Sequence, residues 1–188
     1  MSRVPSLTQG LQLALAFLNT HDLLEDPPDL LNIGRLQRMG TRLGCTPLIE
    51  SLSEADLPEL RRLRGQLYRV FAGETPQEKV SALNNVLATL AAHASIEASG
   101  SESPGSAAYR VAITGPADTD PVRAFGLSIG DAIAHALVAG GPDRLGVCAG
   151  TPCRCVFVDR TRAVRQRYCC ELCNDRVAAA AYRARATG

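Results

Sequence analysis

The sequence predicts a mainly α-helical protein: a multi-helical N-terminal domain with a short β-hairpin or strand, then a treble-clef-like zinc finger. Three observations indicate this fold. Leucine, valine, isoleucine and alanine recur at helical spacing through the first two-thirds of the chain, tryptophan is absent, and six of the seven cysteines lie between residues 148 and 173. The segment Gly140-Gly141-Pro142 predicts the boundary, so the two domains span residues 1–142 and 143–188.

Apolar periodicity and capping signals predict four helices before residue 98. The first helix has Leu7, Leu11, Leu15 and Leu18 on one face, and the second runs from Pro27-Pro28 to Leu43. The third follows the capping signal Ser53-x-x-Asp56, and the fourth begins at Thr75-Pro76-x-Glu78. Gly44 and Gly73 follow the second and third helices, as expected for residues that end a helix.

The segment after the fourth helix reads as a loop, a strand and a fifth helix. Residues 98–107 are rich in serine, glycine and proline, which predicts a loop. The alternation of Tyr109, Val111 and Ile113 with smaller or polar residues predicts a short strand, which needs a partner across that loop or elsewhere. A fifth helix is expected over residues 121–139.

Charge divides the chain into an acidic body and a basic tail. Residues 1–143 carry 11 basic and 16 acidic side chains, whereas residues 144–188 carry 9 basic and 3 acidic ones. A basic tail on an acidic body is typical of nucleic-acid-binding proteins, and we expect DNA as the partner. Attraction between the two halves is the alternative explanation.

The sequence favours a cytoplasmic location without a membrane partner. No run of 18 apolar residues is present, and the apolar stretch after Arg3 leads into Asn19-Thr20-His21-Asp22, which offers no small-residue cleavage site. Disulfide bonds are rare in the cytoplasm, so the clustered cysteines favour a metal site. The sequence leaves the oligomeric state open, a dimer included.

The cysteine spacing predicts one structural zinc ion. Two close groups of thiols, separated by a short span, supply two ligands each to a tetrahedral site. The predicted ligands are Cys148, Cys153, Cys169 and Cys173. Cys170 in place of Cys169, or Cys155 in place of Cys153, are alternatives that the spacing leaves open. Four thiolates close the site to water, which indicates a structural metal rather than a catalytic one.

The rest of the tail predicts a hairpin and a helix that carry arginines. Residues 156–158 are expected to pair with residues 166–168, and the alanine-rich run from Glu171 predicts a helix. Arg176 and Arg183 are seven residues apart and project on nearly the same side of that helix. The candidate nucleic-acid contacts are Arg160, Arg162, Arg165, Arg167, Arg176 and Arg183.

Two parts of the chain resemble known families. The motifs Cys148-x4-Cys153, Phe157-Val158-Asp159-Arg160-Thr161-Arg162, Arg167-Tyr168-Cys169 and Cys173-Asn174-Asp175-Arg176 resemble the CGNR zinc finger. This resemblance implies a treble clef that binds nucleic acid in bacterial regulators. Residues 11–20 and 60–71 are similar to the ABATE domain, which implies a helical sensor domain of a stress-induced transcription regulator.

A charged residue on the apolar face of the third helix indicates a second site. A helical wheel that starts at Leu60 places Arg64 at about +40°, next to Phe71 in the apolar stripe that faces the core, where an unpaired guanidinium is unfavourable. Asp22 would lie on the apolar face of the first helix if that helix continued past Leu18. One interpretation is a core pair of Arg64 with Asp22, or an extended Arg64 that reaches solvent. The other is a pocket for a small anionic ligand formed by Asn19, Asp22 and Arg64.

These observations predict a zinc-binding transcription regulator with a ligand-sensing helical domain and a DNA-binding finger. No phosphate-binding glycine loop, nucleophile elbow or paired-carboxylate motif is present, so no catalytic residue is predicted and an enzyme is not expected. The alternative functions are a zinc-stabilised protein-interaction module and a small-molecule sensor that binds no nucleic acid.

Overall fold

The computed structural model describes residues 8–99, 108–116 and 120–186, and it confirms the mainly α-helical fold class. In chain order, the elements are α1 (Gln9–Leu18), α2 (Ile33–Leu43), α3 (Leu57–Ala72), α4 (Pro76–Thr89), β1 (His93–Ser99), β2 (Ala108–Thr114), α5 (Pro121–Gly140), β3 (Leu145–Val147), β4 (Val156–Val158) and α6 (Glu171–Ala186). Short 3₁₀ turns precede α3 and β3.

Side-chain caps fix where the helices begin. Thr75 and Glu78 form the predicted capping box at α4, and Ser53 and Asp56 form another in the turn before α3. The predicted start of the second helix at Pro27-Pro28 is wrong. Asn32 caps α2 by accepting from the Arg35 amide, so the helix begins at Ile33 and the prolines lie in the preceding loop.

The helical core is built around α1, which packs against α2, α3 and α5. Leu13, Ala14 and Phe17 of α1 are fully buried. The rings of Phe17 and Phe125 meet edge to face with their centroids 5.1 Å apart, an arrangement that aromatic pairs prefer. The aliphatic core that the composition predicts is therefore completed by a single aromatic pair at the contact of α1 with α5.

Helix α5 is long and apolar enough to cross a bilayer by length and composition alone. In the structure, eight of its residues are buried among the other helices, including Phe125, Ile129 and Ile133. Its apolar character is thus explained by its place in the core of the helical body.

The predicted strand after residue 108 has its partner in β1. The two strands pair antiparallel, with His93 opposite Thr114, so the hairpin alternative is correct. The predicted loop begins later than expected, because β1 continues to Ser99, and residues 100–107 lie outside the described residues. The hairpin is tied to α5 because the Ile113 amide donates a hydrogen bond to the Asp131 carboxylate at 2.8 Å.

The second sheet links the helical body to the cysteine-rich tail. Strands β3 and β4 pair antiparallel, with Leu145 opposite Val158, whereas residues 166–168 form no strand. The predicted pairing of residues 156–158 with residues 166–168 is therefore wrong. Leu145, Val156 and Val158 are buried in the same hydrophobic cluster as the helices. The first hairpin of the tail thus shares one core with the helical body.

Candidate metal centre and nucleic-acid interface

The first pair of zinc ligands lies in the turn that joins β3 to β4. Cys148 directly follows β3, and its amide donates to the Cys155 carbonyl at 2.9 Å, which closes a knuckle around Cys153. The Gly150 amide points at the Cys148 sulfur at 3.4 Å. Backbone N–H groups directed at sulfur stabilise the thiolate form that binds metal.

The second pair is presented by the start of α6. Cys169 lies two residues before the helix, and Cys173 lies in its first turn, so one helical turn sets their spacing. The Cys169 sulfur is 3.6 Å from that of Cys173 and 3.7 Å from that of Cys153. The two knuckles therefore meet through their sulfur atoms.

The four predicted ligands form one cluster that fits a tetrahedral zinc ion. The sulfur atoms of Cys148, Cys153, Cys169 and Cys173 all lie within 4.8 Å of one another. Zinc–sulfur bonds of about 2.3 Å in a tetrahedron place the sulfurs roughly 3.8 Å apart, close to the shorter distances observed. Three of these cysteines are buried and Cys169 is half-buried. The group holds one zinc ion in a closed, structural site.

The two remaining thiols of the tail lie beside the cluster. Cys155 is half-buried, and burial together with the neighbouring Cys153 raises its pKa to about 12, so it is a neutral thiol at physiological pH. Cys170 is exposed, with its sulfur 3.8 Å from that of Cys169. Of the alternatives that the spacing left open, the geometry favours Cys153 over Cys155 and Cys169 over Cys170.

A buried aspartate shapes the loop between β4 and the second knuckle. One Asp159 oxygen accepts from the amide and hydroxyl of Thr161, and the other accepts from the Gln166 amide, each at 2.7 Å. Burial alone would raise the pKa of Asp159, but these hydrogen bonds outweigh it and hold the pKa below its usual range. The Arg167 carbonyl then accepts from the Ala149 amide, which joins the loop to the first knuckle.

Three polar side chains, not foreseen from the sequence in this role, attach the finger to the body, and of these Lys79 and Arg144 are buried and Asn19 is half-buried. Asn19 accepts from the Val156 amide at 2.7 Å and donates to the Val156 carbonyl at 3.0 Å. The Lys79 ammonium donates to the Leu145 carbonyl at 2.6 Å. Arg144, only 1% exposed, donates to the carbonyls of Asp159 and Thr161, both at 2.9 Å. We call Asn19, Lys79 and Arg144 the seam.

The three predicted ligand-binding residues are not brought together. Asn19 belongs to the seam, and it is the C-cap of α1, so the helix ends before Asp22. The Asp22 carboxylate accepts from the Leu24 amide and forms no ion pair with Arg64 in the described part of the chain. Arg64 is buried as predicted and lines a cavity between the body and the finger.

Arg64 pairs with Asp29 rather than with Asp22. Its Nη1 atom donates to the Asp29 carboxylate at 2.7 Å and to the Thr20 hydroxyl at 2.8 Å, while Arg61 binds the other Asp29 oxygen at 2.6 Å. The loop after α1 turns back so that Asp29 meets α3, which the sequence did not indicate. Burial tends to raise the pKa of Asp29, but both guanidinium groups outweigh it and hold the pKa well below its usual range.

Replacing Asp29 by asparagine is expected to destabilise the protein by about 2 kcal/mol at pH 7, since charge-assisted hydrogen bonds are lost from a buried guanidinium. The folded pKa is depressed, so the stabilisation is complete above the unfolded value of about 3.9 and is lost only as the pH falls further. Urea unfolding of Asp29→Asn and of the unaltered protein should therefore differ equally at pH 7 and pH 5. A difference that shrinks over this interval would contradict the assignment.

The six candidate arginines for nucleic acid are all exposed, on the loop before α6 and on the helix itself. Arg160, Arg162, Arg165 and Arg167 lie on the loop, and Arg176 and Arg183 on α6. Cys173 is the one residue of α6 that is buried among those described. The helix is thus anchored at its first turn by the metal cluster and presents the rest of its length to solvent.

Comparisons with known proteins agree with this geometry. Residues 11–140 match the ABATE family, described as "Putative stress-induced transcription regulator", and residues 144–186 match the CGNR zinc finger. No match to an individual curated protein was found. The first match spans more than half of the chain and covers the helical body, while the second contains all four clustered cysteines. The chain therefore belongs to the ABATE family and carries a C-terminal CGNR zinc finger that holds one zinc ion.

Proposed function

We propose that the protein is a cytoplasmic, bacterial-type transcription regulator whose zinc finger binds duplex DNA and whose helical body senses a small ligand. The observation that carries the DNA-binding half is the exposure of α6. A 16-residue helix with one buried residue gains little from packing, so its exposed surface is available to a partner. It acts by binding, without catalysing a reaction.

The charge around α6 favours a polyanionic partner. Residues 160–186 contain seven arginines and two acidic residues, Glu171 and Asp175. Arginines pair well with phosphate oxygens because the planar guanidinium donates two parallel hydrogen bonds. Such contacts supply affinity and position the protein on the duplex, whereas sequence is read from base edges.

The geometry of α6 suits the major groove. Arg176 and Arg183 lie within about 20° of each other around the helix, with the small Ala179 and Ala180 between them. Asp175 lies about 100° away from Arg176, so its carboxylate does not stand between the two arginines. The major groove, about 12 Å wide, admits a helix with short side chains on its leading face.

The test is a salt series of binding to duplex DNA. Reversing both charges, in Arg176→Glu with Arg183→Glu, should weaken binding and lower the slope of log K against log salt by about 2, since each lost phosphate contact removes roughly 0.9. The matched control is Arg38→Glu with Arg42→Glu on exposed positions of α2, which should leave the slope unchanged.

Two outcomes would count against DNA as the partner. One is absence of binding at low ionic strength by zinc-loaded protein, and the other is equal slopes for the α6 and α2 variants. The alternative function, a zinc-stabilised protein-interaction module, is favoured by Leu172 and Tyr182, which are 74% and 69% exposed on α6. Exposed apolar residues of this size are more typical of protein contacts than of phosphate contacts.

A further inference from the structure

A cavity of about 250 Å³ lies where α1, α3 and the first cysteine knuckle meet. Three arginines contribute to its wall, Arg61 and Arg64 from α3 and Arg154 from the knuckle, together with His21 from the loop after α1. None of the seven residues that line it is acidic. The cavity is therefore basic, and residues of both the helical body and the zinc finger line it.

A glycine in the middle of α3 opens this cavity. Gly65 lines it, and a Cβ atom built on Gly65 would meet no heavy atom within 4 Å. Glycine inside a helix is less favourable than alanine, and no neighbouring group requires it at this position. Gly65 is exposed, and the absence of a side chain there leaves room in the cavity for a bound molecule.

The arginines of the cavity keep donors for a ligand. Arg64 makes both of its hydrogen bonds through Nη1, which leaves the other nitrogens of its guanidinium without protein partners in the described structure. Arg154 forms no ion pair with any described residue. Asp29 neutralises one of the three guanidinium charges, so the wall keeps a net positive charge. An anion would complete this arrangement.

Tyr68 connects the cavity to the zinc knuckle. The Arg154 guanidinium lies over the Tyr68 ring, 5.5 Å from its centroid, and both residues line the cavity. The Tyr68 hydroxyl is buried and has no hydrogen-bond partner among the described residues. A buried hydroxyl without a partner is unfavourable, and a polar group of a bound ligand or a water would relieve this.

We propose that this cavity binds a small organic anion, with a carboxylate or phosphate group held between Arg64 of α3 and Arg154 of the knuckle, and a compact apolar part against Leu18 and the Tyr68 ring. Arg154 stands between Cys153 and Cys155, so the ligand contacts the finger directly. The site deepens the ligand-sensing half of the proposed function and rests on it, but does not require DNA binding.

Titration of the zinc-loaded full chain with benzoate and with inorganic phosphate tests the site. Amide NMR spectra are recorded at each step of the titration, and each added anion replaces chloride so that the ionic strength stays constant. We expect saturable shifts at Gly65 and Arg154 with at least one of the two anions. Saturation by benzoate alone assigns a carboxylate ligand, and saturation by phosphate alone assigns a phosphate ligand. Absence of saturable shifts at these residues with both anions would overturn the proposal.

Three variants show whether binding occurs inside the cavity. Gly65→Leu fills the open space and should abolish the saturable shifts at the cavity, while Arg154→Gln should weaken binding about tenfold or more. Arg42→Gln, at an exposed position of α2 that does not line the cavity, is the matched control and should leave binding unchanged. Zinc content and thermal midpoint verify that each variant is folded. Binding that is insensitive to both Gly65→Leu and Arg154→Gln would overturn the proposal.

The same titration separates this inference from the DNA-binding proposal. Arg176 and Arg183 do not line the cavity, so their reversal to glutamate should leave benzoate binding unchanged. Phosphate is also expected to contact exposed arginines of the finger, and the shifts from those contacts should persist in Gly65→Leu. Absence of DNA binding by the unaltered protein, with anion binding at the cavity intact, thus contradicts the DNA proposal alone, and DNA binding without anion binding at the cavity contradicts the cavity alone.

Discussion

Removal of zinc, by chelation or by Cys148→Ser, is expected to unfold the second cysteine knuckle and α6 and to leave the helical body folded. Structural zinc contributes about 10–16 kcal/mol to the folding of zinc-finger peptides. The buried residue of α6 among those described is Cys173, itself a zinc ligand, so little packing holds this helix once the metal is removed. Strands β3 and β4 should persist, because Leu145, Val156 and Val158 are buried in the helical core.

Hydrogen exchange with and without chelator measures this boundary. Amides of α6 should lose protection when zinc is removed, whereas those of α1 and α5 should keep it. Cys170→Ser is the matched control, since Cys170 is exposed beside the cluster, and it should retain one zinc per chain. Persistent protection of α6 in metal-free protein, or loss of zinc in Cys170→Ser, would contradict the assignment.

Replacing Arg144 by methionine is expected to lower the free energy of unfolding by about 3–5 kcal/mol, as for loss of a buried charged partner. Methionine fills a similar volume but leaves the carbonyls of Asp159 and Thr161 without their donor. The neighbouring Asp159 carboxylate also loses a favourable positive charge. Urea unfolding of the zinc-loaded protein gives the difference.

Arg160→Met is the control for this measurement. Arg160 is exposed, so its replacement should change stability by less than about 0.5 kcal/mol. If Arg144→Met destabilises the protein no more than Arg160→Met does, the seam does not hold the finger to the body as described here.

The parts of the fold that were predictable depend on neighbours in sequence. The capping box of Thr75 and Glu78 spans three residues, and the zinc ligands come in two close pairs, so short-range chemistry specifies both. The burial of Arg64 follows from helical periodicity alone. Each of these features is decided within one or two helical turns.

The parts that were missed depend on contacts between distant segments. Asn19 and Val156 are 137 residues apart, and Lys79 and Leu145 are 66 apart, so no local pattern predicts their hydrogen bonds. The partner of Arg64 was misassigned because α1 ends at Leu18 and the following loop brings Asp29 to α3. The partner of residues 156–158 was misassigned because the apolar residues of β4 pair as well with β3, which precedes the first knuckle, as with residues 166–168.

The seam has a consequence for anyone who wishes to recombine this protein. A finger cut at Gly141 and fused to another protein would carry Leu145, Val156 and Val158 as exposed apolar side chains, and Arg144 would lose its contact with the Gly140 carbonyl. A working chimaera must therefore transfer complementary surfaces, including Asn19 and Lys79, with the finger. The unit of exchange is the finger plus the part of the body that it rests on.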